Sequence, residues 1–154
     1  MSKIHFYKSV QVIDASIEEV YDYLTKNEHI LSWSNMTKDH IYAEGEPLQY
    51  LYAGQKLQVI QEHRGKRYSA DAWVEKLEAP SFIDVRTSNE IGTTIGQYQL
   101  QSKQNQTELQ IDLLVETPKW AYAILYKLSK SRLNRMYNKE FRRLNDYAIQ
   151  MNRR

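Results

Sequence analysis

The fold is decided in the C-terminal third of the chain, where the spacing of apolar residues changes from every second position to the spacing of a helix. Residues 106–118, QTELQIDLLVETP, carry apolar side chains at alternate positions from Leu109 to Val115, as in a strand with one buried face. Residues 119–149, KWAYAILYKLSKSRLNRMYNKEFRRLNDYAI, follow helical spacing without an internal glycine or proline. Pro118 ends the strand and suits the first turn of a helix. We therefore expect a C-terminal helix of about 30 residues, or about 45 Å.

Upstream of this junction, residues 39 to 116 keep an apolar period of two and are interrupted at regular intervals by turn-forming residues. These are Gly45 to Pro47, Gly54, Gly65, Ala79-Pro80, Asn89 to Gly92 and Asn105-Gln106. The alternation predicts a meander of antiparallel strands with one buried face. The inward positions are Leu57, Val59, Ala70, Ala72, Val74, Ile83, Val85, Tyr98 and Leu100, followed by Leu109, Ile111, Leu113 and Val115.

The N-terminal region predicts one strand and two short helices. Ile4, Phe6, Val10 and Val12 alternate with polar residues and indicate a half-buried strand. Ser16 and Glu19 form an S-x-x-E capping box, so a helix begins near Ser16, and a second short helix covers residues 28–33. Together these elements predict a single α+β domain, residues 1–154, with a curved antiparallel sheet of about seven strands around the C-terminal helix. Only a curved sheet covers a helix of that length.

The long helix carries two apolar stripes. One runs along its whole length through Tyr122, Tyr126, Ser129, Leu133, Tyr137, Leu144 and Ala148. The other, formed by Ala121, Ile124, Leu125 and Leu128, is confined to the first half. A helix that is apolar most of the way round must be covered on more than one side. We expect the first half to meet the sheet and also a loop or a second subunit in a homodimer, with any bend near residues 129–132.

Three further segments resemble a known superfamily. They are VQVIDASIEEVYDYL at 10–24, GKRYSADAWVEKLEAPSFIDV at 65–85 and IGQYQLQSKQNQTELQI at 95–111. Within the second, VEKLEAP is similar to a strand-ending V-x-x-L/I-x-P-P, with Ala79 in place of the first proline. The order of elements and these segments resemble the SRPBCC superfamily of START domains, birch-pollen allergen and polyketide cyclase/dehydrase-like proteins, over essentially the whole chain. The resemblance implies a helix-grip fold.

The resemblance also implies a cavity between sheet and helix that holds a lipid, polyketide or quinone-like molecule. Binding or transport of such a molecule is the leading hypothesis, with apolar burial supplying affinity. Strand parity and the long apolar stripe of the helix predict the residues that line this cavity. They are Leu57, Val59, Gln61, His63, Val74, Tyr98, Tyr122 and Tyr126. The alternatives are a cyclase/dehydratase-like enzyme, in which His63 or a tyrosine moves a proton, and a co-chaperone-like protein-interaction module.

Other function classes have no support in the sequence. There are no cysteines, and the four histidines, His5, His29, His40 and His63, show no metal-ligand spacing, so we expect neither a metal nor another cofactor. No G-x-S-x-G, P-loop or G-x-G-x-x-G motif occurs. The absence of a signal-like or membrane-spanning apolar run, with the lack of cysteine, predicts a cytoplasmic protein.

Charge is distributed unevenly along the chain. Residues 118–154 hold ten Lys and Arg against Glu140 and Asp146, a local charge of +8, which leaves −6 for residues 1–117. The basic helix face, formed by Lys127, Lys130, Arg135, Lys139, Arg142 and Arg143, lacks the interleaved aromatics of a nucleic-acid platform. We therefore expect no nucleic-acid partner, and transient contact with an anionic membrane instead.

Overall fold

A seven-stranded antiparallel sheet forms the frame of the protein. The computed structural model describes residues 2–43, 45–46 and 50–153. Its elements are β1 (Ser2–Ile13), α1 (Ile17–Thr25), α2 (Asn27–Trp33), β2 (Thr37–Tyr42), β3 (Lys56–His63), β4 (Lys66–Glu78), β5 (Phe82–Ser88), β6 (Thr93–Lys103), β7 (Gln106–Thr117), α3 (Trp120–Leu128) and α4 (Lys130–Asn152). The strand order is β1-β7-β6-β5-β4-β3-β2. The predicted meander and the helix-grip α+β class are therefore confirmed.

The predicted turns account for the hairpins of this sheet. Gly65 follows β3 with a positive φ of 77°, and Asn105 lies in the tight turn between β6 and β7. Part of the predicted turn at Gly45 to Pro47 lies outside the described residues, because Pro47 is not among them. Helix α1 begins after Ser16, whose hydroxyl oxygen accepts the Glu19 amide at 3.2 Å while its proton is donated to the Glu19 carboxylate at 2.9 Å. The capping residues therefore act as expected.

Strand β1 differs from its predicted burial pattern. Its register with β7 shifts between His5 and Tyr7, so that Phe6 and Tyr7 are both buried. A bulge of this kind reverses the parity of the residues that follow it. Val10 and Val12 consequently lie on the outer face and are 58% and 49% exposed, and their prediction as buried residues was wrong.

The predicted single C-terminal helix is two helices. The chain breaks between α3 and α4 at Ser129, where ψ is 1°, inside the segment predicted to bend. Leu144 and Ala148 of α4 are fully buried against the sheet, which confirms the long stripe over this part of the chain.

The second apolar stripe is left uncovered by the chain itself. In α3 only Ala123 is buried, whereas Trp120 and Leu128 are 75% and 80% exposed. Ile124 and Leu125 are also exposed. The expectation that a loop of this chain covers this side of the helix is wrong for the described residues.

A buried carboxylate ties α4 to the segment between α2 and β2. Glu140, which is 6% exposed, accepts hydrogen bonds from the Ser34 hydroxyl at 2.5 Å, the Asn35 amide at 2.9 Å and the Met36 amide at 3.4 Å. One turn further along α4, the Arg143 Nε donates to the Trp33 carbonyl at 3.0 Å. Two residues of α4 thus satisfy backbone groups that the end of α2 leaves free.

Replacement of Glu140 by alanine should be strongly destabilising. Glu140→Ala leaves the buried Ser34 hydroxyl and two partly buried backbone amides without their acceptor, so we expect the free energy of unfolding to fall by about 3 kcal/mol in urea titrations. Asp146→Ala is the matched control, because Asp146 is an exposed carboxylate on the same helix, and its loss should stay within about 0.5 kcal/mol. Equal losses for the two variants would contradict the role given to Glu140.

Candidate functional site

A cavity of about 190 Å³ lies between α4 and the concave face of the sheet. Strands β2 to β7 supply much of its wall, α1 and α2 close one side with Leu24, Ile30 and Trp33, and α4 contributes Tyr137, Glu140 and Phe141. Most of these side chains are apolar, so the cavity favours an apolar occupant.

A layer of aromatic rings borders the cavity on the side of β1. The Phe6 ring lies 5.4 Å from that of Tyr126 and 5.7 Å from that of Tyr137, measured between ring centroids. Phe141 continues the layer, with its centroid 5.9 Å from Tyr7. These rings fill the space between β1 and the helices. The remaining gap faces the wall residues contributed by β3 and β4, among them Val59, Ala72 and Val74.

Five of the eight predicted lining residues lie on the cavity wall. They are Leu57, Val59, Gln61, Val74 and Tyr98. Leu57, Val59 and Val74 are buried, and Gln61 is exposed to solvent. Strand parity therefore identified cavity positions correctly in the middle of β3, β4 and β6, and contact of these residues with a ligand stays a prediction.

The other three predicted residues lie away from the cavity. His63 is exposed at the end of β3, beside the Arg64-Gly65 turn. Tyr126 packs on Phe6 instead, and the ring of Tyr122 lies 5.4 Å from the Lys119 ammonium. The break at Ser129 separates α3, which carries both tyrosines, from the part of α4 that forms the wall. Their placement on the wall is therefore corrected.

Tyr137 and Glu140 are among the wall residues that the sequence-based site prediction did not include. Tyr137 belonged to the predicted helix stripe but was not assigned to the cavity, and Glu140 was counted only as one of two acids in a basic segment. A signal for Glu140 was available, because it is the only carboxylate between Lys119 and Asn145. A single carboxylate beside Phe141, on an otherwise basic helix, is a candidate for a buried acceptor of hydrogen bonds.

Tyr98 and Tyr137 are two of the polar residues of the wall, which also includes Gln61, Arg86 and Glu140. Burial raises the pKa of both tyrosines far above the ordinary value, and the nearby Glu140 carboxylate raises the pKa of both further. Both hydroxyls therefore stay protonated at neutral pH. Neither has a hydrogen-bond partner among the described residues, which leaves two O–H groups that can donate to an occupant.

His40 contributes a second polar group to the wall from β2. Its Nδ1 lies 2.8 Å from the Asn27 Oδ1, and burial lowers the pKa of the imidazole to about 4, against a smaller upward effect of Asp39. The ring is consequently neutral at pH 7. With Nδ1 donating to the amide oxygen, Nε2 is an acceptor.

Metal and membrane-spanning features are absent from the part of the chain that the structure describes. There, no three His, Asp or Glu side chains are grouped so that they could hold a metal ion. No helix among the same residues has the length and apolar character needed to cross a bilayer.

Solved structures share the fold at low sequence identity. SA2116 of Staphylococcus aureus, a protein of unknown function, is 13% identical with a TM-score of 0.71 over 99% of this chain and 96% of its own. Ara h 8.0201 is 10% identical with a TM-score of 0.66 over 97% and 98%. A START superfamily protein of Mycobacterium smegmatis is 16% identical with a TM-score of 0.68 over 97% and 98%. These similarities establish the helix-grip fold alone.

The sequence itself matches one family model. No curated protein is significantly similar to the sequence. Residues 14–137, which include every strand except β1, match the model described as activator of Hsp90 ATPase homolog 1-like protein. The chain therefore belongs to the family of activator of Hsp90 ATPase homolog 1-like proteins, within the SRPBCC superfamily of helix-grip proteins.

Proposed function

We propose that this protein binds a small apolar molecule with one hydrogen-bonding end in the cavity between the sheet and α4. The observation that carries the proposal is a largely apolar cavity lined by Tyr98 and Tyr137, two tyrosines that stay protonated and whose hydroxyls form no hydrogen bond within the described part of the chain. Members of the superfamily to which the chain belongs are known for cavities in the same place. The apolar wall supplies affinity, and the hydroxyls orient the ligand.

The volume restricts the class of ligand. A space of about 190 Å³ is somewhat larger than the engineered cavity of about 150 Å³ that binds benzene. It accommodates a one- or two-ring group of the quinone-like or polyketide-like kind, or the end of a lipid, and is too small for an entire lipid. Because so small a ligand buries little apolar surface, the hydroxyls contribute a substantial share of its affinity.

The same chemistry favours binding over catalysis. A tyrosine whose pKa is raised by burial holds its proton, and the Glu140 oxygens already accept three hydrogen bonds. His40, with a pKa of about 4, is a weak base. His63, the residue considered for proton transfer, lies outside the cavity. The wall therefore offers hydrogen bonds and lacks a strong base.

A co-chaperone-like role is the second candidate, because the matching family is described by activation of the Hsp90 ATPase. Such a role uses the protein surface and does not need an empty cavity. It can be separated from ligand binding by a variant whose cavity is plugged. Stimulation of an Hsp90 ATPase to the same extent by wild type and by Ala72→Phe would favour this second candidate.

The ligand proposal predicts that a two-ring phenol binds and that a plugged cavity abolishes binding. The probe is 2-naphthol, which has an apolar body and one hydroxyl. At about 100 times its Kd it should raise the free energy of unfolding by about 2.7 kcal/mol, measured by thermal unfolding and calorimetric titration. Ala72→Phe places a ring in the cavity and should remove the effect.

The matched control for the plug is Gln101→Phe, which adds the same ring at an exposed position on β6. This variant should bind 2-naphthol like wild type. Failure of wild type to bind, or equal binding by Ala72→Phe, would contradict the proposal.

A second prediction concerns the hydroxyls alone. Tyr98→Phe and Tyr137→Phe should each weaken 2-naphthol binding by about two- to tenfold, because each removes one hydrogen bond to the ligand. Binding of naphthalene, which lacks the hydroxyl, should change little. Tyr126→Phe is the control, because Tyr126 packs on Phe6 outside the cavity. Parallel losses for both ligands would mean that the hydroxyls do not contact the probe.

A further inference from the structure

Helix α3 presents a face that is apolar throughout. Its buried side, centred on Ala123, packs against β1 and β7. The opposite side is formed by Trp120, Ala121, Ile124, Leu125 and Leu128, and all five are exposed. We call these five residues the α3 face. Four large apolar side chains side by side on one short helix form a contiguous patch of the kind that marks an interaction site.

The charged residues that adjoin the α3 face in sequence have a single sign. Residues 118–139 contain six Lys and Arg and no Asp or Glu. Lys119 precedes the helix, Lys127 borders the face, and Lys130 and Arg132 follow it. None of the six cations forms an ion pair within the described part of the chain. The face is therefore an apolar patch with a basic rim, complementary to an anionic partner with an apolar interior.

A second copy of the chain fits this patch poorly. A two-fold contact through the α3 face would bring the same unpaired cations together from both subunits, where they repel. The patch is also small, because a stable interface takes about 20 to 30 residues from each side. A nucleic acid would satisfy the cations but leave Ile124, Leu125 and Leu128 without an apolar environment.

We propose that α3 docks the protein on an anionic membrane. The four large side chains of the α3 face enter the boundary between head groups and acyl chains, and the rim cations contact lipid phosphates and carboxylates. Tryptophan is enriched at this depth of a bilayer because its ring is amphipathic, and Trp120 fits this position. With nine residues, α3 is about 14 Å long and lies on the bilayer without spanning it. This inference goes beyond the proposed function and stands on residues that do not line the cavity.

The test is flotation with vesicles of phosphatidylcholine, with and without phosphatidylserine. Wild type should float with the vesicles that contain phosphatidylserine and stay in solution with the others, and salt should weaken binding. Leu125→Ser/Leu128→Ser should weaken binding about tenfold or more. Lys127→Glu/Lys130→Glu, which leaves the apolar residues in place, should weaken it as well. Val10→Ser is the matched control, because Val10 is a comparably exposed apolar residue on β1.

The position of the helix can be read from fluorescence. Emission of wild type should shift to the blue on binding, and Trp120→Phe should remove the shift while Trp33 and Trp73 still report. No flotation with phosphatidylserine vesicles, or flotation that both double variants leave unchanged, would overturn the proposal. A dimer in sedimentation velocity that dissociates in Leu125→Ser/Leu128→Ser, without vesicle binding by wild type, would assign the face to a second copy and overturn it too.

Discussion

The structure depends on how closely a straight helix can follow the concave side of a sheet. At the β1 end, the rings of Phe6, Tyr7, Tyr137 and Phe141 fill the space between α4 and the strands. Glu140 then holds the segment after α2 against the same helix. With α4 fixed at these two places, it cannot approach β3 and β4 more closely. The cavity is the space that remains, because protein interiors pack tightly wherever side chains can reach.

The chemistry of the cavity follows from the same contacts. Glu140 accepts hydrogen bonds from Ser34, Asn35 and Met36, which hold its carboxylate in place, and it contributes negative potential to the wall. That potential and burial keep the Tyr98 and Tyr137 hydroxyls protonated. An apolar space with hydrogen-bond donors among its lining residues suits recognition of a ligand oxygen. Helix-grip proteins can thus serve different ligands by changing a few wall residues on one frame.

Much of the fold could be predicted from the sequence, because periodicity reports which side of an element is buried. The signals that succeeded are all local. They are the strand parity of Leu57, Val59 and Val74, the capping pair at Ser16 and the bend near Ser129. The bulge at Phe6 and Tyr7 was not predicted, since both residues are apolar and no glycine marks it. It reversed the burial expected for Val10 and Val12.

The errors at the site come from tertiary structure. Tyr122 and Tyr126 continue the stripe of Tyr137 at helical spacing, but the break at Ser129 places them beside β1 and away from the cavity. His63 has inward parity, yet β3 ends there in solvent. Glu140 was counted only as one of two acids in a basic segment, because its three donors lie about 105 residues away in sequence. Contacts of such separation leave no periodic signal.

Xenon binding in a crystal tests the central claim most directly, because xenon occupies apolar cavities and makes no hydrogen bonds. We predict a xenon peak between α4 and the sheet, within contact of Val59, Val74 and Phe141, with the backbone unchanged. A structure in which side chains fill this space, or in which a chain of ordered waters replaces the xenon, would contradict it.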